Sequence, residues 1–251
     1  RGEADALICG VVGRHQRKVG YIRDIIGLDR GVHSLSSMAA VANDKGLTFF
    51  LDTHTQHDPT PEQIAESTLQ AVLRLKMLGV EARVALIAGS NFGSRNTPTA
   101  RKMQDVLKLL RERAPDLEVE GEMQADVALD PALRSRLFPN SRLTGRANVF
   151  VFPNLASANA AFNITRSMSD GVVLGPILMG VAKPAHVLTP QATVRRVVNM
   201  SAIACVEAQI RAAPEYAKRK ARIKAQRGGA ASKPRKTVKQ VARTTAHRSK
   251  P

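Results

Sequence analysis

Tryptophan is absent from the 251 residues, and seven Phe and two Tyr bring aromatics to only 4%. That scarcity argues against a binding surface built from stacked rings. Cysteine occurs twice, as Cys9 and Cys205, far apart and in no CxxC pattern. Two free thiols in a reducing cytoplasm are the expectation. The longest apolar stretch, residues 171–182, contains Pro176 and falls short of the ~20 residues a membrane helix needs. No basic start leads into an apolar signal core. A transmembrane helix protein and a secreted disulfide scaffold are both excluded. Residue 1 is Arg rather than Met, so the expectation is a piece cut from a longer chain, or a chain whose start is missing.

What remains is ordinary for a globular protein: 43% apolar and 24% charged residues, enough chain for one or two domains. The net charge of +17 is unevenly spread. Residues 211–251 hold 14 of the 38 Lys and Arg but one acid, Glu215. The first 210 residues are close to balanced. The basic tail has few large apolar residues, so disorder is expected beyond a helical start at 215–226. It can serve as a solvated appendage or as a salt-sensitive polyanion-binding arm, the one route here to nucleic acid.

Through the body, short apolar runs at 6–9, 47–51, 84–88, 148–152 and 172–174 read as buried strands, with 117–120 a further candidate. Between them lie helical patterns. Thr60-Pro61-Glu62-Gln63 is a capping box with Pro at the first helical position, and Gly79 is the stop. Thr97-Pro98 opens a helix with Met103, Val106, Leu107 and Leu110 on one face. Helices are also expected near 131–138, 157–168 and 191–210. Strands alternating with helices predict an α/β fold with a mostly parallel sheet covered on both faces.

Ligands of open α/β sheets gather at the carboxyl ends of strands. Three loops are candidates there. Gly89-Ser90-Asn91-Phe92-Gly93-Ser94-Arg95 offers backbone N–H groups, hydroxyls and a cation to a phosphate, or is simply a polar turn. Gly175-Pro176-Ile177-Leu178-Met179-Gly180 leads to Lys183-Pro184-Ala185-His186. Thr189-Pro190 reads as the cap and first residue of the last helix. His54 and His57 sit in a loop with no third ligand indicated by spacing, so no metal site is expected. No nucleotide loop, metalloprotease helix or nucleophile elbow is present.

Several strings occur in one order: Asp58-Pro59-Thr60, Ser90-Asn91-Phe92-Gly93-Ser94, Gly121-Glu122-Met123-Gln124-Ala125-Asp126, Gly145-Arg146-Ala147-Asn148-Val149, Phe152-Pro153-Asn154, Asn159, Gly175-Pro176-Ile177, Lys183-Pro184 and Val197-Val198-Asn199. Across residues 1–210 the chain resembles the phosphate acetyl/butyryl transferase family. With His186-Val187-Leu188-Thr189-Pro190, it is most similar to the phosphotransacetylase-like C-terminal module of bacterial NADP-dependent malic enzymes.

The resemblance implies a parallel-sheet sandwich of phosphotransacetylase type with acyl-CoA in a cleft between two subdomains. Residues 33–181 would be an inserted second domain. Residues 1–32 and 182–210 would be the remnant of an incomplete first one, and 211–251 an extra tail. It further implies malic-enzyme catalytic domains in the same polypeptide, which would hold NADP and a divalent metal, and a homo-oligomer. The implied acyl-CoA contacts are Ser90, Asn91, Ser94, Arg95, Asn159, Lys183, His186, Thr189 and Arg196.

Active members of the family have a Ser-Arg pair entering the last helix and an Asp seven residues after the Ser, proposed as the base for the CoA thiol. The matching positions here are Thr189, Pro190 and Arg196, and another active-site Arg aligns with Gly20. A guanidinium cannot take up a proton. The resemblance therefore implies a catalytically degenerate, acetyl-CoA-binding regulatory module of a malic enzyme. The alternative is an active phosphate acetyl/butyryltransferase, making acyl phosphate and CoA from acyl-CoA and phosphate.

Overall fold

The computed structural model describes residues 3–214. The tail readings, disorder beyond 215–226 and polyanion binding, lie outside the described residues. The chain divides into two units, Arg1–Ala208 and Gln209–Pro251. Eight strands and seven helices are described: β1 Leu7–Gly10, α1 His15–Ile25, β2 Ser36–Asn43, β3 Gly46–Leu51, α2 Pro61–Met77, β4 Val84–Ile87, α3 Pro98–Arg113, β5 Val119–Met123, α4 Ala125–Leu129, α5 Pro131–Leu137, β6 Val149–Val151, α6 Leu155–Ser167, β7 Val172–Met179, β8 Ala185–Leu188 and α7 Val194–Ala212.

Six strands form one sheet in the order β5-β4-β6-β3-β2-β7, and β1 pairs with β8 in a second. All pairings are parallel except those of β2, which runs against both β3 and β7. The mostly parallel α/β expectation is met, with one reversed strand. The large sheet is buried on both faces, as parallel sheets are. Val84, Leu86, Val149 and Val151 meet Ile64, Leu75, Met103, Val106 and Leu110 of α2 and α3. The alternate residues Ala85, Ile87, Phe150 and Phe152 meet Val127, Ala158 and Phe162 of α4 and α6. This is the period of two that a pleated strand imposes. A separate cluster of Val19, Ile22, Val181, Ala185 and Val187 joins α1 to the small sheet.

The capping signals act as written. Thr60 Oγ1 accepts from Gln63 N while Gln63 Oε1 accepts from Thr60 N, and Thr97 Oγ1 accepts from Ala100 N. Three expectations are corrected. Residues 175–179 are not a loop: β7 runs through them, bending at Gly175, whose φ of 105° and approach to Met38 O leave no room for a side chain. Residues 185–188 likewise form β8, because they supply the parallel partner of β1. Thr189-Pro190 does not cap the last helix either. It makes a turn closed by Ala192 N donating to Thr189 O, and Thr193 Oγ1 then accepts from Arg196 N at the start of α7. Among the described residues no helix is long and apolar enough to cross a membrane.

Candidate functional site

The turn at 189–192 has a consequence for chemistry. It releases the Thr189 side chain from capping and sets it at the carboxyl end of β8, at the wall of a cleft of about 310 Å³. Gly175 and Pro176 form the floor where β7 bends, and Pro190, Gln191 and Arg196 come from the start of α7 and the turn before it. From α6 come Asn159, Phe162, Asn163 and Arg166, at the i, i+3, i+4 and i+7 spacing that puts side chains on one helix face. His54, just past the end of β3, completes the wall.

Several of the polar side chains are held by hydrogen bonds. Asn159 donates to Thr53 O (3.2 Å) and Asn163 to Asn159 Oδ1 (2.7 Å). Arg166 donates to Gln191 Oε1 at 3.1 Å and lies 5.9 Å from the centre of the Phe162 ring. The His54 Nδ1 is 2.6 Å from Thr53 Oγ1, and Gln16 of α1 donates to His54 O. Arg196 Nε is buried without a hydrogen-bond partner.

The electrostatics are one-sided. No carboxylate is among the lining residues, which carry two guanidiniums and an imidazole. Burial, then the Arg166 charge, pull Arg196 below its ordinary value. Burial does the most to His54, and His15, Arg196 and Arg166 add to it, pushing its pKa down to about 4. The imidazole is therefore neutral at physiological pH. The lining side chains therefore bring positive charge to the cleft and no carboxylate to offset it.

Three of the nine expected contact residues meet in this cleft: Asn159, Thr189 and Arg196. The loop at 89–95 lies elsewhere, past the end of β4, and its donors point inward. Ser90 Oγ and Gly93 N both donate to Glu122 Oε1 at 2.9 Å, and Gln104 donates to the other carboxylate oxygen. Asn91 and Gln124 exchange two hydrogen bonds, and Asn91 N donates to Ser94 Oγ. The expected anion-facing donors of Ser90 and Gly93 are thus committed to an internal carboxylate, while Ser94 and Arg95 stay exposed.

His186 is not among the cleft's lining residues. It is fully buried in β8, its Nδ1 accepts from Leu178 N, and its Nε2 lies 3.5 Å from Glu207. Lys183 is exposed. Gly20, aligned with an active-site Arg of the family, sits mid-α1 and is not a lining residue. His57 is exposed and apart from His54, and no group of three metal-ligating side chains occurs among the described residues. His54, Asn163 and Arg166 were missed. The α6 spacing of polar residues and the position of His54 after a strand end were the available signals.

The sequence pattern of the family described as "Phosphate acetyl/butaryl transferase" matches residues 1–205. The chain is 49% identical over 210 residues to the NADP-dependent malic enzyme of Escherichia coli (strain K12), covering 83% of this chain and 28% of that enzyme. It is 38% identical over 213 residues to the phosphate acetyltransferase of Paracoccus denitrificans, covering 82% of this chain and 67% of that protein. Among solved structures, a phosphotransacetylase from Streptococcus pyogenes superposes with a TM-score of 0.78 at 26% identity, covering 82% of this chain and 64% of that one. The chain thus spans little more than a quarter of the malic enzymes it matches. With its motifs, its fold and this match over 205 residues, the chain belongs to the phosphate acetyl/butyryl transferase family.

Proposed function

We propose that this domain is a non-catalytic, acetyl-CoA-binding regulatory module of an NADP-dependent malic enzyme, the enzyme that converts malate to pyruvate and CO2. The observation that carries the reading is Arg196. Where the family places an Asp as base, a guanidinium enters a cleft with no carboxylate among its lining residues. It attracts phosphate groups and cannot deprotonate a thiol. Asn159, Thr189 and Arg196 remain contacts in this proposal, joined by His54, Asn163 and Arg166, with exposed Ser94, Arg95 and Lys183 open to the longer parts of the ligand. NADP and the divalent metal would belong to malic-enzyme domains in the same polypeptide. The division into an inserted domain at 33–181 and first-domain pieces at 1–32 and 182–210, and a homo-oligomeric assembly, are parts of the same proposal.

Regulation requires acetyl-CoA to bind an inactive assembly more tightly than an active one. The test is malate oxidation by the full-length protein with and without acetyl-CoA, alongside calorimetric acetyl-CoA binding by wild type and Arg196→Asp. Inhibition together with saturable binding weakened by the substitution is expected. Robust acetyl phosphate formation from acetyl-CoA and phosphate would overturn the non-catalytic reading.

One observation favours the alternative, an active phosphate acetyl/butyryltransferase. Thr189 keeps a hydroxyl at the cleft, in the position where the family has Ser. The same acetyl phosphate assay decides between the two.

A further inference from the structure

Two cations share a small cleft with no carboxylate among its lining residues. Arg166 enters from α6, fixed by Gln191 and by the face of Phe162. Arg196 enters from α7 with its Nε buried and lacking a hydrogen-bond partner. Like charges packed together in a partly dry site are a cost unless an anion joins them. His54 lines the same cleft. Its Nδ1 is engaged by Thr53 Oγ1, and protonation would make both ring nitrogens donors.

The groups facing that ring are His15 from α1, Arg166 from α6 and Arg196 from α7. On its own segment, Asp52 is buried and its oxygens already accept from Ser37 N and Oγ, Thr55 N and Gln56 N. Every other charged neighbour therefore opposes protonation while the cleft is empty. A bound anion would supply the missing countercharge to all three cationic groups at once.

We propose that Arg166 and Arg196 form a subsite for a compact dianion of the phosphate class, and that His54 takes up a proton as the anion binds. Occupancy is then linked to pH: the anion stabilises charged His54, and by reciprocity a charged His54 tightens the anion. Affinity rises as pH falls. The low pKa of His54, about 4 with the cleft empty, leaves room for a rise on binding. Where the dianion is a phosphate group of acyl-CoA, this deepens the proposed function and rests on it. Where it is a free inorganic anion, the subsite stands by itself.

Sulfate is the decisive probe because it stays dianionic across the useful range, so any proton taken up belongs to the protein. Calorimetric titration of the full-length protein would be run between pH about 5 and about 8, in buffers of differing ionisation enthalpy. Wild type is expected to bind sulfate with uptake of a fraction of a proton, larger at the acid end. His54→Gln should abolish the uptake and, with it, the rise in sulfate affinity toward acid pH. Arg166→Gln and Arg196→Gln, checked for folding by circular dichroism, should each weaken sulfate about tenfold or more.

Absence of sulfate binding, binding unaffected by both Arg substitutions, or uptake unchanged in His54→Gln would each overturn the proposal. Acetyl-CoA titrated in the same buffers separates the two readings. Acetyl-CoA binding without sulfate binding sinks the subsite and leaves the regulatory module standing; sulfate binding alone does the reverse. Competition between the two assigns the subsite to a coenzyme phosphate, and independent binding assigns it to a free anion.

Discussion

Arg74 of α2 donates to Glu207 of α7 at 2.5 Å, and both side chains are buried. The same guanidinium donates to Leu178 O in β7, and the other Glu207 oxygen lies 3.5 Å from His186 in β8. This charged bolt ties a helix on the large sheet to the helix that brings Arg196 to the cleft. Removing one partner leaves the other charge buried without its countercharge. Glu207→Ala is therefore expected to lower unfolding free energy by about 3–5 kcal/mol, measured by denaturant titration. The paired replacement Arg74→Met with Glu207→Leu should cost clearly less than the two single changes added together. Additive losses would show that the two charges do not depend on each other.

Glycines at two sites should respond in opposite directions to alanine. Gly10 ends β1 with φ 121°, and an added Cβ would sit 2.2 Å from Leu188 O in the paired strand. Gly10→Ala must push the small sheet apart and is expected to cost more than about 2 kcal/mol. Gly20, mid-α1, has open space where a Cβ would go, so Gly20→Ala should stabilise by about 0.5–1 kcal/mol through helix propensity. Thermal unfolding of both variants checks the pair, and a matching sign would contradict this account.

Legibility followed local physics. The capped helices at Thr60 and Thr97 and the apolar runs of β3, β4 and β6 were readable because their signals lie within a few residues. The strand β2 was not. Ser36-Ser37-Met38-Ala39-Ala40-Val41 is rich in small residues without a clear alternation, and it is a strand because β3 and β7 pair with it on both sides. Gly175-Pro176 likewise reads as a turn, yet pairing across the Met38/Ala40 register shift keeps it inside β7. At the site, Arg196 and Thr189 were visible as departures from a family pattern. Arg166 and His54 were not, since only the fold brings α6 and the end of β3 to the same wall.

The 89–95 loop gives a separation between scaffold and site. Ser90→Ala removes one of the hydrogen bonds to buried Glu122 and should cost about 1–2 kcal/mol of stability. Phe92, stacked on Phe138 with centroids 4.3 Å apart, and Gly93 N on the same carboxylate should keep the loop in place. Sulfate binding at the cleft is expected to be unchanged. A large loss of sulfate affinity would mean that the loop supports the cleft through contacts other than these.

Acid should destabilise the protein through His54, and the sign follows from linkage. Its pKa is lowered from 6.5 to about 4 in the fold, so between those values the unfolded chain binds more protons than the native one. Stability is full above pH 6.5 and is lost as pH falls toward about 4, by about 3 kcal/mol in total. His15, lowered chiefly by burial, adds a loss of the same sign. Denaturant unfolding across this window should show a shallower acid slope in His54→Gln than in wild type. Saturating sulfate should flatten the wild-type slope as well, because the occupied cleft lets the native state carry the proton that the empty one refuses. An acid slope equal in wild type and His54→Gln would remove His54 from the account.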